Sequence, residues 1–408
     1  MTDIQLTEHG PATVIADLPE ATVSVLRAYL RVTSAGSGRW RLKPRGKVGM
    51  VRVGDLTVRI EPKLRIEHLL FLISYAVKPV DWLEPIGDAK EITGLVAAVA
   101  DVYSQCAETT LRQGVLHGYH PVRGPLPVVR GRIRATDQLR NHHGAPFPFE
   151  VSYDAFSSDI RENQILRAAA VKALKLPQLT ETARNRLAVV IRLLERVSAL
   201  PDSGPASPLV HPTPLLNRGA ERYRVALGLA DLILRGSSFD LHRGSVTAHG
   251  FMLDMDVVFE NFLGAALKKA LPERIPGVGR VKHSLYLDAA GRLRAQLDFA
   301  WLVNDRPCIV VDAKYKLSKK KHRPDIYQMA TYCSALNLSG GHLVYAEGPI
   351  QPTVHRLKNS GIRITHHALD LSRPSAEILT AVDALADHLA AGIVVSPQIQ
   401  SPSPGGRP

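Results

Sequence analysis

The amino-acid sequence predicts a mixed α/β protein of the α+β type, with a β-rich N-terminal region, a mainly helical middle region and a C-terminal mixed sheet covered by helices. Three observations predict it. Short alternating apolar strands fill residues 1–64, and apolar stripes at helical spacing dominate 65–200. From residue 254 onward the patterns run helix, three strands, helix, strand.

In the first region, Val48–Val53 and Leu56–Ile60 alternate apolar and polar positions around Gly54-Asp55, which marks a hairpin. Arg39, Arg41, Lys43, Arg45, Lys47 and Arg52 crowd its approach. They suit a phosphate, an acidic protein surface or a solvated strand face equally. Helices are expected over Glu67–Ala76, Glu91–His117, Asp159–Lys175 and Thr180–Ser198, with Ser158 or Asp159 capping the third. Val128–Arg134 reads as a strand. Prolines and serines over 201–217 mark a linker. The following region, 218–395, opens with helices over Ala220–Leu234 and Asp254–Leu271. Strands are expected over Val278–Leu287, Arg292–Val303, the Cys308 segment, Gly341–Ala346 and Ile362–Leu371, and a closing helix over Ser375–Ala391. The tail, 396–408, is rich in Ser, Pro and Gly and is expected to be disordered.

At 408 residues the chain exceeds a single ordinary core. With 51 Lys and Arg against 38 Asp and Glu, its net charge of +13 points to a polyanionic partner, nucleic acid first. A generally basic soluble protein is the bland alternative. Cys106, Cys308 and Cys333 are scattered, so neither a disulfide framework nor a zinc site is expected, and they fit a reducing cytoplasm. The N-terminus lacks the pattern of a signal peptide, and no membrane anchor is expected. Gly46-Lys47 is followed by Val48 and lacks the first glycine of a phosphate loop, so nucleotide hydrolysis is expected of a partner, not of this chain.

The chemistry concentrates between Leu297 and Tyr332. Two apolar strands, each carrying an acid, flank the turn formers Asn304, Asp305 and Pro307, so Asp298 and Asp312 are expected on neighbouring rungs. Strand alternation sends Asp312 and Lys314 to one side. Two carboxylates and an ammonium at a strand end suit a hard cation such as Mg2+. A helix from Asp325 follows, with Ile326, Met329, Cys333 and Leu336 facing the core and Gln328 and Tyr332 one turn apart beside them. On the preceding helix, Glu260 sits beside the apolar stripe, where an exposed helix glutamate is the equal alternative.

This ordered set resembles the PD-(D/E)xK nucleases, including the Gln-x-x-x-Tyr element of one large branch, and the element order matches their αβββαβ core. More of the chain resembles the McrC family, the nuclease subunits of McrBC-type, modification-dependent (type IV) restriction systems. The likeness lies in Val48–Asp55 with Ile60–Lys63, Val129–Ile133, Tyr153–Asn163, Met255–Phe262, Asp298, Asp312–Lys314 and Asp325–Tyr332. The resemblance implies a DNA endonuclease with Asp298, Asp312, the Ala313 carbonyl and Glu260 as Mg2+ ligands. Lys314 would polarise the attacking water, and Gln328 and Tyr332 would orient the substrate or the lysine. It also implies an McrB-like AAA+ GTPase ring as partner, bound through the β-rich residues 1–64, and modified DNA as substrate.

Lys319, Lys320, Lys321 and Arg323 lie between the catalytic strand and the Gln328 helix, suiting either backbone phosphates or a solvated loop. The pairs His142-His143 and His366-His367 read as loop and strand residues. A non-cutting activator of an NTPase ring and a stand-alone repair nuclease remain the competing functions.

Overall fold

A computed structural model describes residues 2–77, 95–143, 145–176, 179–200, 222–236, 241–243, 246–315, 323–348 and 351–392. The expected linker at 201–217, the tail at 396–408 and Lys319, Lys320 and Lys321 lie outside the described residues. The chain divides into two compact units, residues 1–70 with 82–254, and residues 71–81 with 255–408.

The first unit begins with β1 (Thr2–Thr7), β2 (Thr13–Ala16), α1 (Glu20–Leu26), β3 (Leu30–Gly36) and β4 (Arg39–Pro44). Next come β5 (Lys47–Val53) and β6 (Leu56–Glu61), the expected hairpin, with Gly54 at φ 59° in its turn. α2 (Ile66–Val77) carries the chain out of this unit, which resumes at α3 (Leu95–Arg112). β7 (Gly118–Leu126), β8 (Arg132–Ile133), α4 (Ala135–His142), β9 (Phe149–Ser157), α5 (Arg161–Ala173) and α6 (Glu181–Leu193) follow. α7 (Tyr223–Gly236), β10 (Leu241–Arg243) and β11 (Val246–Asp254) complete it.

Its largest sheet runs β1-β6-β5-β11-β10, so a strand some two hundred residues downstream closes the N-terminal hairpin into a sheet. Gly49 makes this possible. It sits at φ 130°, and a Cβ there would collide with the carbonyl oxygen of Phe251 on β11.

Several expectations change. The strand foreseen at 128–134 shrinks to β8, and the longer partner of β9 is β7. Pro121 and Pro125 hide β7 from a pattern reading, and the order β7-β9-β8 shows why they are tolerated, because β7 is an edge strand. The segment from Tyr153, foreseen as the approach to a helix, forms the end of β9. α5 starts from Ile160 without a side-chain cap. Asp159 instead accepts from Gln164 Nε2 at 2.9 Å and from Ser198 N and Oγ at 2.8 and 2.6 Å, tying the start of α5 to the chain beyond α6. α4, which contains His142, has no buried residue and hence no apolar stripe to announce it.

The second unit contains α8 (Met255–Ala270), β12 (Val278–Tyr286), β13 (Arg294–Val303), β14 (Arg306–Lys314), α9 (Arg323–Ala335) and β15 (Gly340–Tyr345). β16 (Thr353–Arg356), an exposed edge strand not foreseen, β17 (Arg363–Ala368) and α10 (Ser375–Ala391) complete it. The sheet order is β12-β13-β14-β15-β17-β16. β13 runs antiparallel to both β12 and β14, whereas β14, β15 and β17 are parallel. Asn304 and Asp305 turn β13 into β14 with φ of 50° and 59°, a geometry these short polar side chains accept. Mixed α/β architecture is therefore observed, in the expected element order.

α8 packs on β12, β13 and β14 and against α10, while α9 packs on β15 and β17. The end of α2 joins α8 through the rings of Phe71, Tyr75 and Phe262, 5.5–5.6 Å apart. Among the described residues no helix is long and apolar enough to cross a membrane.

Candidate active site

The centre of the second sheet is set by hydrophobicity. Ile309, Val310 and Val311 are buried, as β14 must be with strands on both sides and helices over the sheet. The next residue in this run is Asp312, only 2% exposed. A carboxylate so placed costs several kcal/mol unless ions or hydrogen bonds compensate it. Asp298 and Asp312 flank the paired residues Phe299 and Val311 on adjacent strands.

Compensation comes from a compact set of groups. Lys314 Nζ lies 2.6 Å from Asp312 Oδ2 and also donates to Gln328 Oε1 at 3.2 Å. Gln328 Nε2 donates to the Tyr332 hydroxyl at 2.7 Å, and that hydroxyl donates to the Gln296 carbonyl at 3.4 Å. Asp298 Oδ2 accepts from the Ala313 backbone N–H at 2.8 Å. The structure thus brings Asp298, Asp312, Ala313, Lys314, Gln328 and Tyr332 together. Helix α9 reaches the sheet because Gly341 on β15 has no side chain. A Cβ there would run into Met329 Sδ and lie 2.7 Å from Cys333 Sγ.

Glu260 on α8 stands at the margin, half-buried, with Lys282 Nζ 4.0 Å from its Oε2. Arg323 is exposed at the start of α9. Sequence reasoning passed over three further contributors. Asp325, read only as the head of a helix, is buried and accepts from the Tyr345 hydroxyl at 3.0 Å. Lys282 and Gln296, in strands read only as β12 and β13, carry the contacts described below. No local pattern announces any of the three, since each acts through a partner distant in sequence.

The charges interact strongly. Burial first, then the like charges of Asp312 and Glu260, push the Asp298 carboxyl up to about 8. Glu260 is raised as well, by burial first, with Lys282 pulling the other way. For Lys314 burial opposes the charged form, yet Asp312 and Asp298 outweigh it and hold the group above its ordinary value. It is therefore an ammonium at neutral pH, a source of positive charge, not a base.

Among the described residues no three His, Cys, Asp or Glu side chains stand close enough to share an ion. What is present is a carboxylate pair, with Glu260 set back on its lysine. The donors nevertheless suit a hard divalent cation. Asp312 Oδ2 is buried and, apart from the ammonium contact, lacks a well-formed hydrogen bond. Burial first, and then like charges that a cation would offset, raise the Asp298 carboxyl above its ordinary value.

Residues 42–346, about three quarters of the chain, match the family described as McrBC 5-methylcytosine restriction system component. The chain belongs to this McrBC family. The matched span includes Glu260, Asp298, Asp312, Lys314, Gln328 and Tyr332. The McrBC-family chain is 22% identical over 334 residues to the type IV methyl-directed restriction enzyme EcoKMcrBC of Escherichia coli (strain K12), covering 74% of this chain and 92% of that one. Its fold is similar to a chain in the refined half-complex from the tetradecameric assembly of Thermococcus gammatolerans McrB AAA+ hexamers with bound McrC. That likeness has a TM-score of 0.54 at 16% identity and covers 95% of this chain and 100% of the other.

Proposed function

We propose that this McrBC-family chain is the DNA endonuclease subunit of a restriction complex, cutting phosphodiester bonds with Mg2+ in a PD-(D/E)xK site. The observation that carries the reading is the buried Asp312, in contact with Lys314 and on the same rung as Asp298, next to the Phe299–Val311 pair. Buried acids of this kind are costly to a fold that does not use them. Asp298, Asp312 and the Ala313 carbonyl would hold the cation, and Glu260 would turn in from Lys282 to join them. A bound Mg2+ lowers the pKa of its water and offsets charge building on the phosphodiester.

The protein's own groups do the rest. Lys314 stays charged beside the reacting phosphate and steadies the negative charge of the transition state. Gln328 fixes the ammonium through its Oε1, and Tyr332 fixes Gln328. Both side chains sit on one face of α9, so the lysine is positioned by a rigid element. Arg323, with Lys319, Lys320 and Lys321 of the same stretch, would contact backbone phosphates without reading sequence. The β-rich residues 1–64 would engage an McrB-like AAA+ GTPase ring, with 65–200 as a helical middle region, 201–217 as linker and 396–408 as tail; within 218–395, the part from Met255 onward, which belongs to the second unit, would be the nuclease domain. The complex would act on modified DNA in the cytoplasm.

The test is Asp312→Ala in the assembled complex with ring, GTP, Mg2+ and methylated DNA. Cleavage is expected to fall on the order of 10³-fold while stimulation of the GTPase is retained. Cleavage that survives the substitution rejects the assignment. Wild-type stimulation of the ring without any Mg2+-dependent cleavage would establish the chain as an activator alone.

A further inference from the structure

Lys282 is out of keeping with its surroundings. It lies within β12 yet has a φ of 53°, the left-handed region that a long side chain seldom enters in a strand. Pairing with β13 is regular on either side, Val281 with Phe299 and His283 with Leu297, and is interrupted only where Lys282 faces Asp298. The register does not slip, but the faces do. Leu297 and Ala300 both enter the core cluster under α9, although an odd and an even position of a regular strand point to opposite faces. The distortion therefore centres on the rung that holds Asp298.

Two contacts hold it there. Gln296 Nε2 donates to the Lys282 carbonyl at 3.2 Å, and the Gln296 carbonyl receives the Tyr332 hydroxyl. A continuous chain of contacts thus runs from Lys314 through Gln328, Tyr332 and Gln296 to the backbone of Lys282. The Lys282 ammonium reaches Glu260 at 4.0 Å while 42% of its side chain stays exposed. Strained, non-glycine backbone of this sort persists where the surrounding structure enforces it, often at sites of function.

Resting on the nuclease reading above, we propose that Lys282 is a phosphate-binding residue of the cleavage site, stored on Glu260 until that carboxylate turns to a divalent cation. Lys314 and Lys282 then form a pair of cations on two sides of the acids. Lys314 belongs to Asp312, whereas Lys282 is released when Glu260 moves and becomes a contact for the DNA strand. Its exposure makes it accessible to a backbone phosphate, and its fixed main chain keeps it beside Asp298.

The test uses the full chain, a short DNA duplex and Ca2+ in place of Mg2+, with binding followed by fluorescence anisotropy over a salt series. Lys282→Gly suits the left-handed backbone, so its Tm should equal or exceed that of the wild type. Its DNA affinity should fall about five- to ten-fold, and the slope of log K against log salt should become shallower by about one. Lys282→Arg should restore most of both. A wild-type chain that fails to bind the duplex, or a Lys282→Gly chain with unchanged affinity and slope, overturns the proposal. Thermal stabilisation by Mg2+ separates this from failure of the nuclease reading. If Asp312→Ala keeps the wild-type Mg2+ response, the metal site itself is misassigned. If Asp312→Ala loses that response while Lys282→Gly still binds DNA normally, only the role of Lys282 falls.

Discussion

Asp312 and Lys314 form a close, buried charge contact at 2.6 Å, and each depends on the other. Removing the lysine by Lys314→Ala leaves a buried carboxylate without its cation, which should cost about 2–4 kcal/mol in urea unfolding of the metal-free chain. Adding Asp312→Asn should recover most of that loss, since no charge then remains to compensate. Asp298 behaves in the opposite sense. Its folded-state pKa is raised to about 8. Its contribution to stability is therefore complete below about pH 4 and is lost as pH rises through the folded value. On the proposed metal site, Mg2+ would have to expel that proton, so the rise in Tm on adding Mg2+ should be larger at pH 8.5 than at pH 6. Asp298→Asn should flatten the difference; an unchanged pH dependence in that variant would show that another group titrates.

At the level of elements, helix α9 matters most, because it delivers Gln328 and Tyr332 to a lysine on a different strand. Its approach depends on Gly341, where any side chain would meet Met329 and Cys333. Gly341→Val should cost about 1–3 kcal/mol through overpacking. The same change should lower cleavage more than the stability loss explains, since lifting α9 separates Gln328 from Lys314. Circular dichroism melts set against cleavage rates at a temperature where the variant is fully folded would distinguish the two effects. α9 and the β13–β14 hairpin were legible beforehand because their signals are local: a polar turn between apolar runs, and a helical stripe beside Gln328 and Tyr332. β7 and α4 were not, one broken by prolines that an edge strand tolerates, the other lacking any buried face.

Of the two units, one gathers a set of histidines. In the second, His342 and His367 share a contact at 3.1 Å, and the His388 ring lies 5.2 Å from that of His367. Burial first, then the neighbouring histidines, pushes His342 down to about 3 and His367 to about 4. Both are neutral in the fold, so the unfolded chain binds more protons below its own pKa of about 6.5. The stability they support is present above that value and is lost as pH falls toward 4. Trp301 is buried in the same unit and reports on it. In a Trp40→Phe, Trp82→Phe background its emission should show a Tm that drops steadily between pH 6.5 and 4.5, a drop reduced by His367→Asn.

The sequence by itself determined what local physics determines. Alternation, helical spacing and turn residues set the strands and helices of the second unit except the edge strand β16. Because Asp298, Asp312, Lys314, Gln328 and Tyr332 fall within one hairpin and the helix after it, their proximity could be read from spacing alone. The tertiary structure decided everything that joins distant segments. It placed β11 beside β5, buried Asp325 under Tyr345, and set Glu260 on Lys282 instead of among the other acids. It also turned Lys282 into a left-handed conformation held by Gln296. None of these has a periodic signature, because the energy that fixes them comes from packing and charge between residues that meet only in the folded chain.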